Sequence, residues 1–252
     1  AAFALLMPMT AVVLAILVII TLSYRDVINV YTKVGGAYIV SRDNFGPVVA
    51  QVAAVALMLD YIVTVAIQSA AGVAAIISTF PELDPWKIHM TLAVILLLTY
   101  GNLRGVKEAG KAFALPTYIF VGSMAVVFII GIYRELTGGL EVLEVNQEGA
   151  VPIGQSQGLL SFAAIFILLR AFANGGSSLT GLEAISDGVA LFKTPEHINA
   201  RRTLVIMSCI LGSLVLGVSY FAHKIYAMPY ESGTPTVISQ IAKTILGDSA
   251  LG

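Results

Sequence analysis

The chain has 252 residues, of which 58% are hydrophobic and 12% are charged, and its formal net charge is −1. Its mean hydropathy is +0.89, and its charged share is well below the ~25% of soluble domains, so too little polar surface remains for a water-soluble protein. The balanced charge gives no sign of nucleic-acid binding. The composition predicts an integral membrane protein.

Membrane-spanning helices are predicted from the lengths of the apolar segments, because about 20 apolar residues cross the hydrocarbon core. Six segments qualify: 2–22, 48–78, 88–101, 112–133, 158–192 and 202–222. The fold class is therefore all-α. The fifth segment is interrupted by residues 170–188, RAFANGGSSLTGLEAISDG, whose glycines, hydroxyls and charges are costly in lipid. Broken helices in membranes commonly mark a transporter's substrate site.

Three further features concern the ends of these spans. Segment 24–46 mixes tyrosines with basic residues and glycines, which predicts an interfacial helix and turn on the cytoplasmic surface. Residues 236–246 are too short and polar to span, so an amphipathic helix is expected inside an outer loop of residues 223–252. Pro116 is expected in the first turns of the fourth span, where a helix tolerates proline best.

Orientation follows from the distribution of Lys and Arg. Loops 23–47, 102–111 and 193–202 hold nine of them, whereas the other loops hold four. The positive-inside rule places the first group in the cytoplasm, so the first span begins outside. Since no signal peptide precedes it, we expect residues 1–252 to be one incomplete transmembrane domain that lacks a preceding helix and further helices after it.

A polar face on the second span is the first candidate site. At about 100° per residue, Asp60, Tyr61, Thr64 and Gln68 fall within an arc of about 100° on one side of the helix. Such a face points toward other helices or a water-filled path. Two interpretations stay open: an ion or substrate path, and polar contacts that hold helices together.

The broken span supplies the second candidate site. Thr180 and Glu183 have the spacing of a capping box at the start of its second half. A bare helix start carries about half a positive charge and normally favours a substrate carboxylate. If Glu183 occupies that position, the site favours a cation instead. A purely structural cap is the alternative.

Oxygen ligands for a cation are abundant around the same break. The hydroxyls of Ser177, Ser178 and Thr180, together with unwound carbonyls of residues 174–178, could replace part of an ion's hydration shell. The break itself is predicted at three glycines, Gly175, Gly176 and Gly181.

Arg170 is the one basic residue inside a predicted span. We expect it to hold the first half-helix through an ion pair with Asp60 or with a carboxylate outside this chain. The sequence has no nucleotide-binding signature, metal-ligand cluster or nucleophile motif. We therefore expect no cofactor and no enzymatic activity.

Four stretches resemble the amino acid, polyamine and organocation (APC) superfamily. They are TKVGGAYIVSRDNFGP, LMLDYIVTVAIQSAAG, GNLRGVKEAGKAFALPTY and RAFANGGSSLTGLEAISDGVALFKTPEHINARRT. The Asp-Tyr pair with a threonine three residues on, and Leu-Thr-Gly-x-Glu-Ala-Ile-Ser, are most similar to the KUP-type potassium importers of bacteria. The resemblance implies a partial LeuT-type inverted-repeat fold, with the six spans as helices two to seven, in the plasma membrane, and it suggests a homodimer.

The leading hypothesis is a secondary transporter that imports potassium with a proton across the lipid bilayer. Asp60 and Glu183 would carry the proton-linked charge changes. The potassium ion would contact Tyr61, Thr64, Thr180 and nearby carbonyls. A proton-coupled amino acid permease of the same superfamily is the alternative. A non-transporting scaffold or sensor is a remote third hypothesis, because it leaves the buried polar break unexplained.

Overall fold

A computed structural model describes residues 2–31, 35–144, 149–151, 162–177 and 179–247. This part of the chain forms α-helices and short 3₁₀ turns, and it contains no β-strand beyond one isolated bridge between Ala150 and Tyr230. The helices are α1 (Ala2–Val30), α2 (Gly36–Phe45), α3 (Pro47–Thr79), α4 (Lys87–Leu103), α5 (Val106–Leu136), α6 (Phe162–Ser177), α7 (Glu183–Asp187), α8 (Glu196–Ile225) and α9 (Val237–Leu246).

Four helices in the described residues are long and apolar enough to cross a membrane. They contain the segments Leu5–Val30, Pro47–Thr79, Phe113–Leu136 and Glu196–Ile225. Helix α4 has 17 residues, which is about 25 Å and the lower limit for a spanning helix. The fifth predicted span is divided into α6 and the short α7, and its first residues, 158–161, lie outside the described part. The protein is an all-α, multi-pass membrane protein.

Helix α1 is longer than the predicted first span. Residues 24–30 continue α1, so a separate helix follows only at Gly36–Phe45. Arg25 and Asp26 end the apolar run, but neither residue stops a helix, and the next helix-stopping residues are Gly35 and Gly36. The end of the apolar run therefore does not coincide with the end of the helix.

Helix α5 begins earlier than predicted, and this moves Pro116 into its interior. The helix starts at Val106, so Pro116 lies well beyond the first turn. The expectation that the proline stands where a helix tolerates it best was wrong. Membrane helices accept interior prolines because neighbouring groups or local adjustments satisfy the freed carbonyl.

The packing divides the chain into two units. One contains Ala1–Phe3, Val65–Gly154 and Gly217–Gly252, and the other contains Ala4–Thr64 and Gln155–Leu216. Helices α3 and α8 contribute residues to both units. We call the first the outer-loop unit, after the predicted outer loop of residues 223–252 that it contains, and the second the broken-helix unit, after α6 and α7.

The core of the broken-helix unit joins α1, α8 and the segment between α6 and α8. Leu182, Val189 and Leu204 are fully buried in this core, and the side chains of Val13 and Leu17 reach it from α1. The apolar residues that follow the break are thus enclosed by two long helices. This packing determines where the broken helix lies.

Close contact between α1 and α8 depends on small and polar residues. A Cβ at Gly212 would lie 3.1 Å from Leu17 Cδ2, and the Thr21 and Ser208 hydroxyls are hydrogen-bonded at 2.8 Å. Because lipid tails are as apolar as the side chains, membrane helices associate through such packing and hydrogen bonds.

In the outer-loop unit, α9 packs against α5 and is held by its polar side chains. Thr236 Oγ1 accepts a hydrogen bond from the Ser239 amide at 3.2 Å, which caps the start of α9. The buried Gln240 donates to the Met228 carbonyl at 2.7 Å and accepts from the Met228 amide at 3.2 Å. An amphipathic helix therefore forms where the residue pattern of 236–246 predicts one.

The ends of α5 and α8 meet in the same unit. Lys224 Nζ lies 2.7 Å from Glu135 Oε1, and the Tyr220 hydroxyl donates to the same carboxylate at 2.8 Å. These charged groups stand at the end of two apolar spans, where side chains reach the membrane surface.

We expect Gly131→Ala in α5 to destabilise the outer-loop unit. Its Cβ would lie 2.6 Å from the ring of the fully buried Phe221 and 2.8 Å from Ile245 Cδ1, and overpacking of this kind costs about 1–3 kcal/mol. Thermal unfolding of the detergent-solubilised protein measures the effect. The matched control is Gly122→Ala on the same helix, which meets open space among the described residues and should leave the unfolding temperature unchanged or slightly raised. Equal unfolding temperatures for the two variants would contradict the packing.

Candidate functional site

The break in the fifth span lies one turn later than the glycine pair predicts. Helix α6 continues to Ser177, so Gly175 and Gly176 belong to its last turn, and the prediction that they interrupt the helix was wrong. The chain turns between α6 and α7 instead, where Gly181 has a φ of 94° that favours glycine. Ser178, a predicted ligand, lies outside the described residues.

Gly175 has a packing role rather than an unwinding role. A Cβ at this position would stand 3.0 Å from Val13 Cγ2 on α1, which is closer than side chains normally approach. A residue without a side chain therefore lets the end of α6 lie against α1. Such close approach is the usual use of glycine between membrane helices.

Hydroxyl groups satisfy the carbonyls at the end of α6. Ser177 Oγ donates to the Asn174 carbonyl at 2.7 Å, and Thr180 Oγ1 donates to the Ser177 carbonyl at 2.9 Å. Each hydroxyl oxygen that gives its proton to a carbonyl keeps two lone pairs for another partner. The hydrogen bonds of Ser177 and Thr180 to these carbonyls therefore leave the lone pairs of both hydroxyl oxygens unused.

The Glu183 side chain binds the backbone of the segment between α6 and α7. Its Oε2 accepts a hydrogen bond from the Gly181 amide at 3.2 Å. The predicted capping box does not form, because the turn at Gly181 separates Thr180 from the helix, whose N-cap is Leu182. The Glu183 carboxylate nevertheless binds a backbone amide of the break.

Asp187 joins three segments of the broken-helix unit. Its Oδ2 accepts from the Tyr61 hydroxyl at 2.7 Å, and its Oδ1 accepts from the Ala37 amide at 3.3 Å. Its backbone carbonyl accepts from the Gly35 amide at 3.1 Å. The end of α7 is thereby tied to α3 and to the start of α2. Asp187 was not selected as a site residue from the sequence.

Gly36 fits this junction because it has no side chain. It is buried with a φ of 25°, and a Cβ would collide with the Asp187 carboxylate and lie 3.0 Å from the Asp187 Cα. The end of α7 therefore packs directly against Gly35 and Gly36 at the start of α2. Its glycine is required by contact with a residue about 150 positions later in the chain.

Two phenols and two carboxylates form a cluster around α7. The Tyr24 and Tyr61 phenols both interact electrostatically with Glu183 and Asp187. Tyr24 lies on α1 and packs against the buried core, and it was assigned to a surface segment from the sequence. The fully buried Ser186 hydroxyl has no hydrogen-bond partner among the described residues, although buried hydroxyls normally have one.

Three predicted site residues stand apart from this cluster. Asp60 and Thr64 are partly exposed on α3, and neither takes part in a hydrogen bond or ion pair within the described part of the chain. Arg170 is exposed on α6 and forms no salt bridge with any described residue. The expected pair between Arg170 and Asp60 is therefore not formed here.

We expect Gly36→Ala to separate the end of α7 from the turn before α2. The added methyl group must displace Asp187, and a strained contact of this kind costs about 1–3 kcal/mol. The unfolding temperature in detergent should fall, and protease cleavage near residue 187 should become faster. Gly72→Ala is the control, because it is helical and faces open space among the described residues. If both variants match the wild type, the close contact is absent.

We expect Tyr61→Phe to weaken the same junction by removing the donor to Asp187. A hydrogen bond between membrane helices contributes about 1 kcal/mol, so the unfolding temperature should fall modestly. A double-mutant cycle with Asp187→Ala should show that the two losses are not additive. Tyr118→Phe, which changes an exposed hydroxyl on α5, is the control. Fully additive losses for Tyr61 and Asp187 would disprove the contact.

Comparison with known proteins agrees with this architecture. A family described as amino acid permease matches residues 2–251. The potassium transporter KimA of Bacillus subtilis (strain 168) is 36% identical over 247 residues, which are 98% of this chain and 39% of KimA. The chain thus spans less than half the length of this relative. These similarities show that the chain belongs to the amino acid permease family of the APC superfamily.

Proposed function

We propose that the whole protein is a secondary transporter that imports potassium together with a proton. This chain would supply the broken-helix part of the ion site. The similarity to KimA covers nearly the whole chain, and the residues around the break offer a carboxylate and several oxygen ligands. The homodimer stays a prediction of the family resemblance.

The hydrogen bond between Glu183 and the Gly181 amide is the observation that favours a cation over an amino acid as the substrate. An amino acid substrate would need free amides at the break to bind its carboxylate. Here the protein's own carboxylate accepts from one of those amides at 3.2 Å. A second carboxylate from a substrate would meet the charge of Glu183, whereas a potassium ion would be attracted by it. Since α7 has only five residues, its dipole offsets the negative charge of Glu183 less than the dipole of a longer helix would.

The potassium ligands are oxygens whose protons point elsewhere. Tyr61 gives its proton to Asp187, and Thr180 and Ser177 give theirs to carbonyls. Their lone pairs are free to take the place of water around a weakly hydrated monovalent ion. Thr64 and Ser178 would complete this set, with further ligands from parts of the protein outside this chain.

Asp60 and Glu183 are the proposed proton carriers. Asp60 has no hydrogen-bond or ion-pair partner within the described part of the chain, so no contact seen there would break if it took up a proton. Glu183 is held by a single amide. Asp187, in contrast, accepts from two donors that belong to other segments, so it ties those segments to α7. We therefore propose a structural role for Asp187 and assign the proton-linked charge changes to Asp60 and Glu183.

An amino acid and proton symporter is the second candidate. The matching family is described as amino acid permease, which favours this function for the fold as a whole. In that case the substrate carboxylate would have to bind at the break after Glu183 leaves the Gly181 amide. A non-transporting scaffold or sensor would leave the polar break between α6 and α7 unexplained.

Growth rescue of a potassium-uptake-deficient bacterium by the complete gene tests the proposal. The wild-type gene should restore growth at limiting potassium, while Glu183→Gln should reduce uptake at least about tenfold because it removes the carboxylate that attracts the ion. Asp60→Asn should give a comparable loss and abolish the response of uptake to a proton gradient. Uptake is measured with rubidium as a potassium tracer.

The control variant is Arg42→Gln, an exposed change on α2 far from the break in sequence. It should rescue growth as the wild type does. Uptake of a labelled amino acid without any rescue at limiting potassium would favour the second candidate. A gene that supports neither uptake, although the protein reaches the membrane, would favour the scaffold.

A further inference from the structure

Helix α2 is attached to the rest of the broken-helix unit mainly by its first turn. Of its ten residues, Gly36 is the one that is buried, and it lies directly against Asp187. Near the other end of α2, Asn44 donates a hydrogen bond to the Tyr31 hydroxyl, but this contact is exposed to solvent. The position of α2 therefore depends on the position of the end of α7.

Asp187 supplies the N-terminal cap that α2 itself lacks. The first amides of a helix have no partner inside the helix, and Gly35 at the N-cap of α2 has no side chain to bind them. Instead, the Gly35 amide donates to the Asp187 carbonyl at 3.1 Å, and the Ala37 amide donates to Asp187 Oδ1 at 3.3 Å. A carboxylate is also favoured at the positive end of a helix. If α7 moves away, α2 loses this cap.

The same carboxylate connects the start of α2 to a residue of the proposed ion site. The Tyr61 hydroxyl donates to Asp187 Oδ2 at 2.7 Å, while Oδ1 faces the Ala37 amide. A cation bound to the Tyr61 oxygen polarises the O–H bond and makes the phenol a stronger donor. Because the carboxylate is planar, fixing one oxygen also fixes the oxygen that caps α2. An ion at Tyr61 is thereby linked to α2 through one side chain.

Glycines in left-handed conformations lie on both sides of α2. Gly35 has a φ of 119° and Gly46 has a φ of 85°, values that favour glycine. A Cβ at Gly46 would meet nothing within 4 Å among the described residues, so backbone conformation, and not packing, requires a glycine there. A few residues at the ends of an element can absorb the backbone rotation when that element moves as a rigid body.

We propose that α2 is a lid on the cytoplasmic side of the ion site, and that Asp187 holds the lid closed while an ion is bound. This role rests on the proposed function, because it takes Tyr61 as an ion ligand. The distribution of Lys and Arg places loop 23–47, which contains α2, in the cytoplasm. When the ion leaves, Tyr61 no longer fixes Asp187, so α2 loses its cap and turns about its flanking glycines.

Hydrogen–deuterium exchange of the purified full-length protein tests the lid. Exchange is compared in potassium chloride and in N-methylglucamine chloride of equal ionic strength. Peptides that contain the Gly35 and Ala37 amides should exchange about fivefold more slowly in potassium, which is the effect of one hydrogen bond. Peptides from α9, which belongs to the outer-loop unit, should change much less.

Two variants separate the parts of the link. Tyr61→Phe keeps the bond between Asp187 and Ala37 but removes the connection to the ion, so exchange should be equal in the two salts. Asp187→Ala removes the cap, so exchange should be fast in both. Asp187→Asn, which keeps one acceptor oxygen and nearly the same shape, should give intermediate rates and serves if the alanine variant does not fold. Tyr118→Phe on α5 is the control and should behave as the wild type.

The outcomes distinguish the lid from the proposed function. If potassium raises the unfolding temperature of the wild type but leaves the exchange of α2 unchanged, the lid is wrong and the proposed function stands. Equal slowing in α2 and α9 would indicate general stabilisation and would also overturn the lid, as would a full potassium effect in Tyr61→Phe. If potassium neither raises the unfolding temperature nor is taken up, the proposed function fails and the lid fails with it.

Discussion

A break in a membrane helix persists only if every backbone group that it frees finds a partner inside the protein. In this protein the hydroxyls of Ser177 and Thr180 bind the freed carbonyls, and Glu183 binds the Gly181 amide. The apolar residues that follow, such as Leu182 and Val189, are fully buried against α1 and α8. The same side chains that satisfy the freed backbone groups also supply the oxygen atoms of the candidate site.

The junction at Asp187 extends the same principle to the rest of the unit. One side chain and one carbonyl bind groups from α3 and from the turn before α2, so a movement of α7 must also move those segments or break their hydrogen bonds. Asp60 and Thr64 lie on α3 close to Tyr61 but are not part of the junction. The proposed site therefore has two parts. The residues around α7 are held by hydrogen bonds, whereas Asp60 and Thr64 on α3 have no such contacts within the described part of the chain.

Several structural details were not predicted from the sequence, because a local sequence pattern depends only on residues that are close together in the chain. The spacing of Thr180 and Glu183 matches a capping box, but the left-handed turn at Gly181 separates them from each other. The pair Gly175-Gly176 suggests unwinding, yet Gly175 is small because Val13 approaches it. Tyr24 follows an apolar run, a pattern that predicts a position at the membrane surface. In the structure α1 continues past Tyr24, and its side chain packs against the core.

The sequence by itself determined the membrane class, the order of the helices, the interrupted fifth span and the presence of Glu183 at the break, because these depend on hydrophobic length and on residues close together in the chain. Only the tertiary structure decided the position of the break, the role of Gly36 and the junction through Asp187. Asp187 meets Ala37 across 150 residues of chain. Contacts over such separations depend on how the helices pack, which no local spacing of residues records.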